Sequence, residues 1–290
     1  MTALFLQQVV NGVTIGVVYA LIAVGLTLVL GILDVINFAH GEFYMIGAFL
    51  TYALTIVIGV DYFLALALTT VGGAAVGLMA ERLTVRPLKD RHVFTVVLST
   101  LGLSIFLQNG ALLMWGPDPR EIGLAWGSRP LIIGGVVITF LRAAVLATGA
   151  ALIVALTWFI RRTTWGMAMR AVAGNRGAAA LMGIPVDRVY AITFALGAGL
   201  AGVAGGLLGA MFTIEPTMGE WAVVKAFSVV IMGGMGNVPG AVLGGIILGV
   251  AENLGAGFLP GGTGYKDGIG YAILILVLLY RPQGLFGRST

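Results

Sequence analysis

The chain has 290 residues, enough for one large soluble domain or two modest ones. Its composition excludes a soluble fold, because 59% of its residues are apolar and only 10% are charged, against roughly 25% charged residues in soluble domains. Its 16 Lys and Arg form no dense basic run, so the net charge of +4 does not indicate nucleic-acid binding. We predict an all-α, polytopic helical membrane protein.

Segments apolar enough to cross a bilayer follow one another along the chain. A hydrocarbon core of about 30 Å requires about 20 helical residues. No Lys or Arg precedes Arg82, so we expect the first segment to be a retained span and not a signal peptide. A late stretch, 221–258, is too long for one span and is interrupted by GGMGNVPG at 233–240, so we predict about 8–9 transmembrane helices. The other segments are roughly 9–33, 41–60, 62–80, 93–115, 143–160, 189–214 and 268–280.

Positive charge is concentrated in three regions of the chain. The loop 81–92, the segment 161–188 and the tail from Arg281 to Arg288 hold 11 of the 16 Lys and Arg. Cytoplasmic loops of membrane proteins are enriched in these residues, so we assign all three regions to the cytoplasm. The segment 116–142 then becomes an outer loop with a strand-like run at 131–141. The N-terminus is expected outside and the C-terminus inside, which requires nine crossings or a re-entrant segment.

Glycines recur at the spacing that permits close helix contact. Small residues four apart let two helices approach closely in membranes, although 45 glycines would produce some such pairs by chance. We interpret the spacing as Gly-rich helix packing. The sets are Gly12/Gly16, Gly202/Gly206, Gly205/Gly209, Gly236/Gly240/Gly244 and Gly245/Gly249.

The sequence lacks the common catalytic and nucleotide-binding motifs. It contains no G-x-x-x-x-G-K-[ST], no H-E-x-x-H and no G-x-S-x-G. It also contains no cysteine, which excludes disulfides and thiolate chemistry. We therefore predict that the chain is not an enzyme and has no cofactor or metal site of its own. Transport or conduction is the expected class.

A first polar cluster lies between two strongly apolar segments, at residues 34–42. It contains Asn37, His40, Gly41 and Glu42. At membrane depth a charged side chain costs at least about 2.5–3.5 kcal/mol unless it is paired or hydrated, so the cluster would mark a substrate pathway. The alternative is an interfacial loop with solvated acids, in which Asn37 caps the next helix.

A second cluster is the basic segment 161–188. Its helix-prone part, Met167–Met182, ends at Gly183 and is stopped by Pro185. A short amphipathic helix on the cytoplasmic face fits docking to another protein. The alternative is a helix lying on lipid headgroups, which the small side chains of 178–180 make less favourable.

The third cluster is the interruption at 233–240, with Gly236 and Asn237 as candidate pathway residues. A broken helix at membrane depth exposes backbone groups that can bind a substrate. A tight turn between two short helices is the alternative, and it is the simpler one. Lys225 and Glu252 lie nearby in sequence and could pair or reach opposite interfaces.

These same residues carry a family resemblance. The chain resembles the LivH-type permeases of the branched-chain amino-acid ABC importers, with LivM-type permeases and urea or amide permeases as more distant relatives. The runs INFAHGE (36–42) and GGMGNVPGAVLGG (233–245) are the most specific. Further matching stretches lie at 11–31, 180–209 and 265–288, in order and over nearly the whole chain.

The resemblance implies one transmembrane permease domain, 1–290, in a bacterial inner membrane. It implies four further partners: a homologous LivM-type permease, two cytoplasmic subunits that bind ATP and Mg, and a periplasmic amino-acid-binding protein. Leu, Ile and Val are the implied cargo. It also implies an ATPase-coupling loop, although the Glu-Ala-Ala opening of the general importer signature is absent. The loop residues are Arg170, Asn175, Arg176, Leu181, Met182, Gly183, Ile184, Pro185 and Asp187.

Other functions remain open on the residues alone. An ion-coupled secondary transporter of small amino acids would need paired broken helices and a membrane-buried acid. A channel would need matched pore motifs in two halves, and a structural subunit would need neither. An ABC permease for urea or short amides is the alternative within the resemblance.

Overall fold

The computed structural model describes residues 2–89, 91–133, 135–259, 261–262 and 264–287. Arg288, counted above among the tail charges, lies outside the described residues. The described chain is almost entirely helical, as predicted. The helices are α1 Thr2–Leu33, α2 His40–Tyr52, α3 Tyr62–Ala80, α4 Val93–Trp115, α5 Phe140–Arg162, α6 Thr164–Gly174, α7 Arg176–Leu181, α8 Val186–Gly209, α9 Met218–Gly233, α10 Val238–Phe258 and α11 Lys266–Tyr280.

Six helical segments in the described chain are long and apolar enough to cross a membrane. This finding confirms a polytopic helical membrane protein. The helices α2, α9 and α11 are shorter, with 13, 16 and 15 residues. The six segments are Thr2–Leu33, Tyr62–Leu88, Val93–Trp115, Phe140–Arg162, Val186–Gly209 and Val238–Phe258.

Two predicted loops are more ordered than expected. After α3 the chain stays helical, through a π-helical turn (Glu81–Val85) and a 3-10 turn (Arg86–Leu88). Two of the four positive charges expected in a loop, Arg82 and Arg86, therefore lie in helical turns. The run predicted as strand-like forms a hairpin of β1 (Pro130–Ile133) and β2 (Val136–Thr139). α5 starts immediately after this hairpin, because the Thr139 side chain caps it by accepting from the backbone N–H of Arg142 at 3.4 Å.

The single helix predicted over Met167–Met182 is wrong. Asn175 adopts an extended backbone (φ −160°, ψ 106°) and divides the segment into α6 and α7. Its side-chain oxygen accepts from the N–H of Ala178 at 2.9 Å, which begins a new helix. The predicted end at Gly183 is correct, and this residue has φ +80°.

α1 is the centre of the bundle and is buried from Ile15 to Val29, with Gly12 also buried. It packs against α10 and α8 through glycine. A methyl group added to Gly16 would lie 2.8 Å from the carbonyl oxygen of Gly245, and one added to Gly25 would lie 2.6 Å from that of Gly197. The contact of Gly16 with Gly245 is the close approach that the glycine spacing predicts, whereas Gly25 and Gly197 are outside the predicted sets.

The bundle has two chemically different ends. At the basic end there is a cavity of about 530 Å³, lined by the C-terminal end of α1, by Lys89 and Arg91, and by the α6–α7 junction. At the hairpin end, Gln7 pairs with the backbone of Val137 through two hydrogen bonds of 2.9 Å. On the same side Arg120 pairs with Ile214 as an isolated β-bridge.

Candidate functional site

The connection between α1 and α2 turns back into the bundle. Asp34 has φ +56°, a left-handed conformation that Asp tolerates better than most residues. After an irregular segment, α2 starts at His40, whose ring Nε2 lies 3.0 Å from the carbonyl oxygen of Ile22. Ile22 is eleven residues before the end of α1, a distance of about 16 Å along a helix. α2 therefore begins deep inside the bundle and not at its end.

The polar residues next to the start of α2 are fully buried, whereas Asp34, at the other end of the predicted cluster, is exposed. Asn37 and His40 are 0% exposed and Glu42 is 1% exposed. Three of their polar atoms have no hydrogen-bond partner among the described residues: Asn37 Nδ2, His40 Nδ1 and Glu42 Oε2. Buried polar groups without partners are costly and uncommon. The alternative, an interfacial loop with solvated acids, therefore fits Asp34, which is exposed, and does not fit Glu42.

Each member of the cluster has a separate structural contact. The Asn37 side chain accepts from the N–H of Ala39 at 3.1 Å, within the turn that begins α2. Because the Ile22 carbonyl can only accept, the His40 Nε2 donates to it and Nδ1 is left as an acceptor. The Glu42 Oε1 accepts from the Ser104 hydroxyl at 3.0 Å. Gly41 lets α2 approach α9, because a methyl group there would collide with the carbonyl of Gly219.

The predicted pathway residues Gly236 and Asn237 occupy a different place, at the basic end. Gly236 has φ +77° and packs against Gly31 near the close of α1. The Asn237 side chain accepts from the N–H of Gly240 at 3.0 Å and donates to the carbonyl of Phe286 at 2.7 Å. The interruption is a turn between α9 and α10 that also holds the C-terminal segment, and the structure does not place it beside His40.

The predicted coupling residues lie together at the basic end. Leu181 and Met182, at the tip of α7, are 91% and 82% exposed. Asn175 caps α7, and Gly183, Ile184 and Pro185 lead into α8. The Asp187 carboxylate pairs with Lys89 at 2.6 Å and with Arg86 at 3.4 Å, which ties the start of α8 to the end of α3.

The two arginines of the predicted coupling segment hold its helices onto the bundle. Arg170, on α6, donates to the carbonyl of Ile160 at the end of α5. The Arg176 guanidinium, at the start of α7, lies 5.6 Å from the centre of the Tyr190 ring on α8. A segment fixed at both ends in this way presents its apolar tip in a defined orientation.

Sequence reasoning missed most of an ionic cluster on α9, α10 and α11, in which Lys225 and Glu252 are buried and Asp267 is exposed. Lys225 is 1% exposed and pairs with Glu252 and, at 2.8 Å, with Asp267. The Tyr19 hydroxyl donates to Glu252 Oε2 at 3.0 Å. The possible pairing of Lys225 with Glu252 was foreseen, whereas no local pattern indicated Asp267 or Tyr19, which are distant in sequence.

An apolar cavity of about 240 Å³ adjoins this cluster between α1, α2, α8 and α9. Its walls are mostly aromatic and aliphatic, and no single sequence motif identifies it. Such a lining with few polar groups is typical of sites for small apolar ligands. The lining residues are Ile15, Tyr19, Tyr44, Leu208, Phe212, Thr213, Met218, Trp221 and Lys266.

The described chain forms a Gly-packed helical bundle with buried polar residues, a helix that begins inside the bundle and an apolar cavity. These features are those of a multi-pass membrane permease. The comparison with protein families gives the particular family. The model described as "Branched-chain amino acid transport system / permease component" matches residues 8–278. The chain belongs to this family.

Individual relatives agree with this assignment. The chain is 42% identical to the high-affinity branched-chain amino acid transport system permease protein LivH of Salmonella typhimurium, over 98% of this chain and 96% of that protein. It is 40% identical to BraD of Pseudomonas aeruginosa, a permease of the same description, with the same coverage. LivM of Escherichia coli is 27% identical over 94% of this chain and 68% of its own length.

A solved structure shows the same fold. A chain of PsaBC from Streptococcus pneumoniae, in complex with Fab, superposes with a TM-score of 0.53, covering 96% of this chain and 92% of that one. The sequence identity is 12%, so this similarity concerns the fold alone.

Proposed function

We propose that this chain is a translocation subunit of an ATP-driven importer and that it carries Leu, Ile and Val. The observation that carries the proposal is the similarity to LivH and BraD over nearly the whole chain, since both are named as branched-chain amino-acid permeases. The apolar, aromatic cavity between α1, α2, α8 and α9 suits a branched aliphatic side chain.

In this proposal the whole chain acts as a single transmembrane domain with several partners. A LivM-type permease would pair with it, as a LivM relative suggests. Two cytoplasmic subunits would bind ATP and Mg, and a periplasmic binding protein would deliver the amino acid. The chain itself performs no chemical reaction, and the absence of a P-loop in its sequence supports a transport role.

We place the basic end in the cytoplasm of a bacterial inner membrane. Regions that are separate in sequence but rich in Lys and Arg meet at this end, as the positive-inside rule expects. The N-terminus would then be outside and the C-terminus inside. The chain would then cross the membrane nine times between its N-terminus and its C-terminus. This count includes α2 and α9, each together with the irregular segment that precedes it.

We propose that the exposed tip of α7 docks on a partner ATPase. Leu181 and Met182 offer apolar surface that the described chain does not cover. The contacts of Arg170 and Asp187 with neighbouring helices would transmit movement of the tip to α5, α3 and α8. Asn175, Arg176, Gly183, Ile184 and Pro185 shape this segment and belong to the proposal for that reason.

We propose that Asn37, His40, Gly41 and Glu42 line or support the substrate pathway. The support for this proposal is their burial at the start of a helix that begins within the bundle, where polar groups usually serve a function. Gly236 and Asn237 shape the basic end of the bundle, and we include them as residues that set its packing around the exit.

The cargo can be tested with the complete complex in proteoliposomes. Uptake of labelled leucine should be inhibited by unlabelled isoleucine and valine and not by urea or acetamide. Inhibition by urea or acetamide, without inhibition by isoleucine or valine, would transfer the proposal to a urea or amide permease.

A further inference from the structure

A polar surface lies half-way along α4, where lipid or a second protein would be expected. Ser104 stands eleven residues from each end of α4, or about 16 Å from either end. One turn further, the Gln108 amide donates to the Glu220 carboxylate at 2.9 Å. We call Ser104, Gln108 and Glu220 the α4–α9 polar face. Glu220 is exposed, and Ser104 and Gln108 are half-buried.

The carboxyl group of Glu42 lies directly behind this face. Its Oε1 accepts from the Ser104 hydroxyl at 3.0 Å, while its Oε2 is buried and has no partner among the described residues. The same carboxyl is close to Gly219, because a methyl group added there would lie 2.6 Å from Oε2. Glu42 and Glu220 bond to Ser104 and Gln108, which are one turn apart on α4, so the two acidic side chains lie near each other between α4 and α9.

Two helix N-termini converge on this point. Glu42 is in the first turn of α2, and Glu220 is in the first turn of α9. The positive end of a helix dipole stabilises a carboxylate in the first turn of the helix. The helix dipoles offset only part of the cost of burying the Glu42 carboxyl group, so its charged form needs a positively charged partner. In the described part of the chain neither has a Lys or Arg within ion-pair distance.

An excess of negative charge at mid-depth selects for a positively charged group. A divalent metal is a poor match, because no group of three His, Cys, Asp or Glu that could hold a metal ion occurs in the described chain. A primary ammonium group has three donors, which fit the free oxygens of Glu42 and Glu220. The described residues offer both an exposed approach, at Glu220, and a buried acceptor, at Glu42.

We propose that the α4–α9 polar face, with Glu42 behind it, binds the α-ammonium group of the transported amino acid. This inference rests on the proposed function and names the residues that receive the charged end of the substrate. The Gln108 amide orients the Glu220 carboxylate, and the Ser104 hydroxyl orients that of Glu42. The aliphatic side chain needs no partner on this face.

The test uses the complete complex in proteoliposomes, with ATP-driven leucine uptake and ATP hydrolysis measured on the same preparation. Glu220→Gln should lower leucine uptake about tenfold or more, as expected when a charge-assisted hydrogen bond is lost. Stimulation of ATP hydrolysis by the loaded binding protein should persist, because the docking surfaces are unchanged. Glu220→Asp should recover part of the uptake. Because Glu220 is exposed, these variants are expected to fold.

A matched pair of substitutions tests the ammonium itself. Gln108→Lys places a tethered ammonium beside both carboxylates and should block leucine uptake, while Gln108→Met, of similar length and uncharged, should retain most of it. The control is Glu121→Gln, which removes an exposed acid from the segment before the hairpin. This variant should transport leucine as the wild type does.

The proposal is overturned if Glu220→Gln and Gln108→Lys both transport leucine as the wild type does. It is also overturned if uptake and stimulated ATP hydrolysis fall together, because the residues would then act on assembly. A wild-type complex that does not carry leucine contradicts the proposed function instead, so the two failures are distinguishable.

Discussion

The His40 ring nitrogen Nε2 lies 3.0 Å from the carbonyl oxygen of Ile22, eleven residues before α1 ends. This contact fixes the start of α2 at mid-depth and brings the buried residues Asn37 and Glu42 with it. The same geometry allows Glu42 to reach Ser104 at the middle of α4. A helix that starts inside a bundle is the arrangement in which membrane transporters build substrate sites.

Replacing His40 should loosen the start of α2. His40→Ala removes the hydrogen bond to Ile22 and the packing of a fully buried ring, so we expect a loss of about 1–3 kcal/mol in stability and a lower thermal midpoint in detergent. His40→Gln retains a donor and should lose less. The measurement is the melting temperature of the purified protein, and an unchanged midpoint for His40→Ala would contradict the structural role.

A methyl group at Gly41 should separate α2 from α9. The added carbon of Gly41→Ala would collide with the carbonyl of Gly219, and overpacking of this kind costs about 1–3 kcal/mol. The control is Gly102→Ala, where nothing lies within 4 Å of the added carbon. Melting temperatures in detergent should fall for Gly41→Ala and not for Gly102→Ala. Equal values for the two variants would show that α2 and α9 are not in close contact.

Breaking the buried ion pair should be among the most damaging single changes. Lys225→Met leaves the Glu252 carboxylate, which is 0% exposed, without its cation, and an uncompensated buried charge costs about 3–5 kcal/mol. We expect poor folding and a low yield from membranes. The double variant Lys225→Met, Glu252→Gln should recover stability, because Tyr19 can still donate to the amide oxygen. No recovery in this double-mutant cycle would argue against a direct pairing.

The tip of α7 should be required for coupling and dispensable for folding. Leu181→Asp and Met182→Asp change exposed side chains, so the melting temperature should stay within a few degrees, since exposed changes are usually worth about 0.5 kcal/mol or less. ATP-driven uptake by the assembled complex should fall strongly. Leu181→Met is the conservative control. Normal uptake with Asp at both positions would remove this tip from the proposed ATPase contact.

The absence of cysteine from the chain allows a direct test of orientation. In intact cells a membrane-impermeant maleimide should label Glu121→Cys, in the segment before the hairpin, and should not label Leu181→Cys at the tip of α7. Permeabilised cells should give labelling of both. The opposite pattern in intact cells would invert the proposed topology.

The sequence alone was sufficient for the class of protein and for several helix limits. The span predicted at 93–115 coincides with α4, since apolar content and flanking polar residues mark both of its ends. The strand-like run predicted at 131–141 corresponds to the two strands of the hairpin, although α5 already begins at Phe140. The interruption at 233–240 is the turn that was the simpler alternative to a broken helix. These features depend on local composition, which a sequence displays directly.

Contacts between residues that are far apart in the sequence could not be predicted from local composition. The segment 41–60 has the composition of a span, so nothing in it shows that α2 starts beside Ile22 or that Glu42 meets Ser104, which is 62 residues away. The pairing of Lys225 with Asp267 joins two helices in the same manner. Asn175 was misread as helical because its neighbours are alanine-rich, whereas its side chain caps α7.

The most direct test of the account is ATP-dependent leucine uptake by proteoliposomes that contain this chain, its partner permease, the two ATPases and the binding protein. We predict uptake only when all components and ATP are present, and none from this chain alone. Uptake by the chain alone, or uptake driven by an ion gradient without ATP, would contradict the account and identify a secondary transporter.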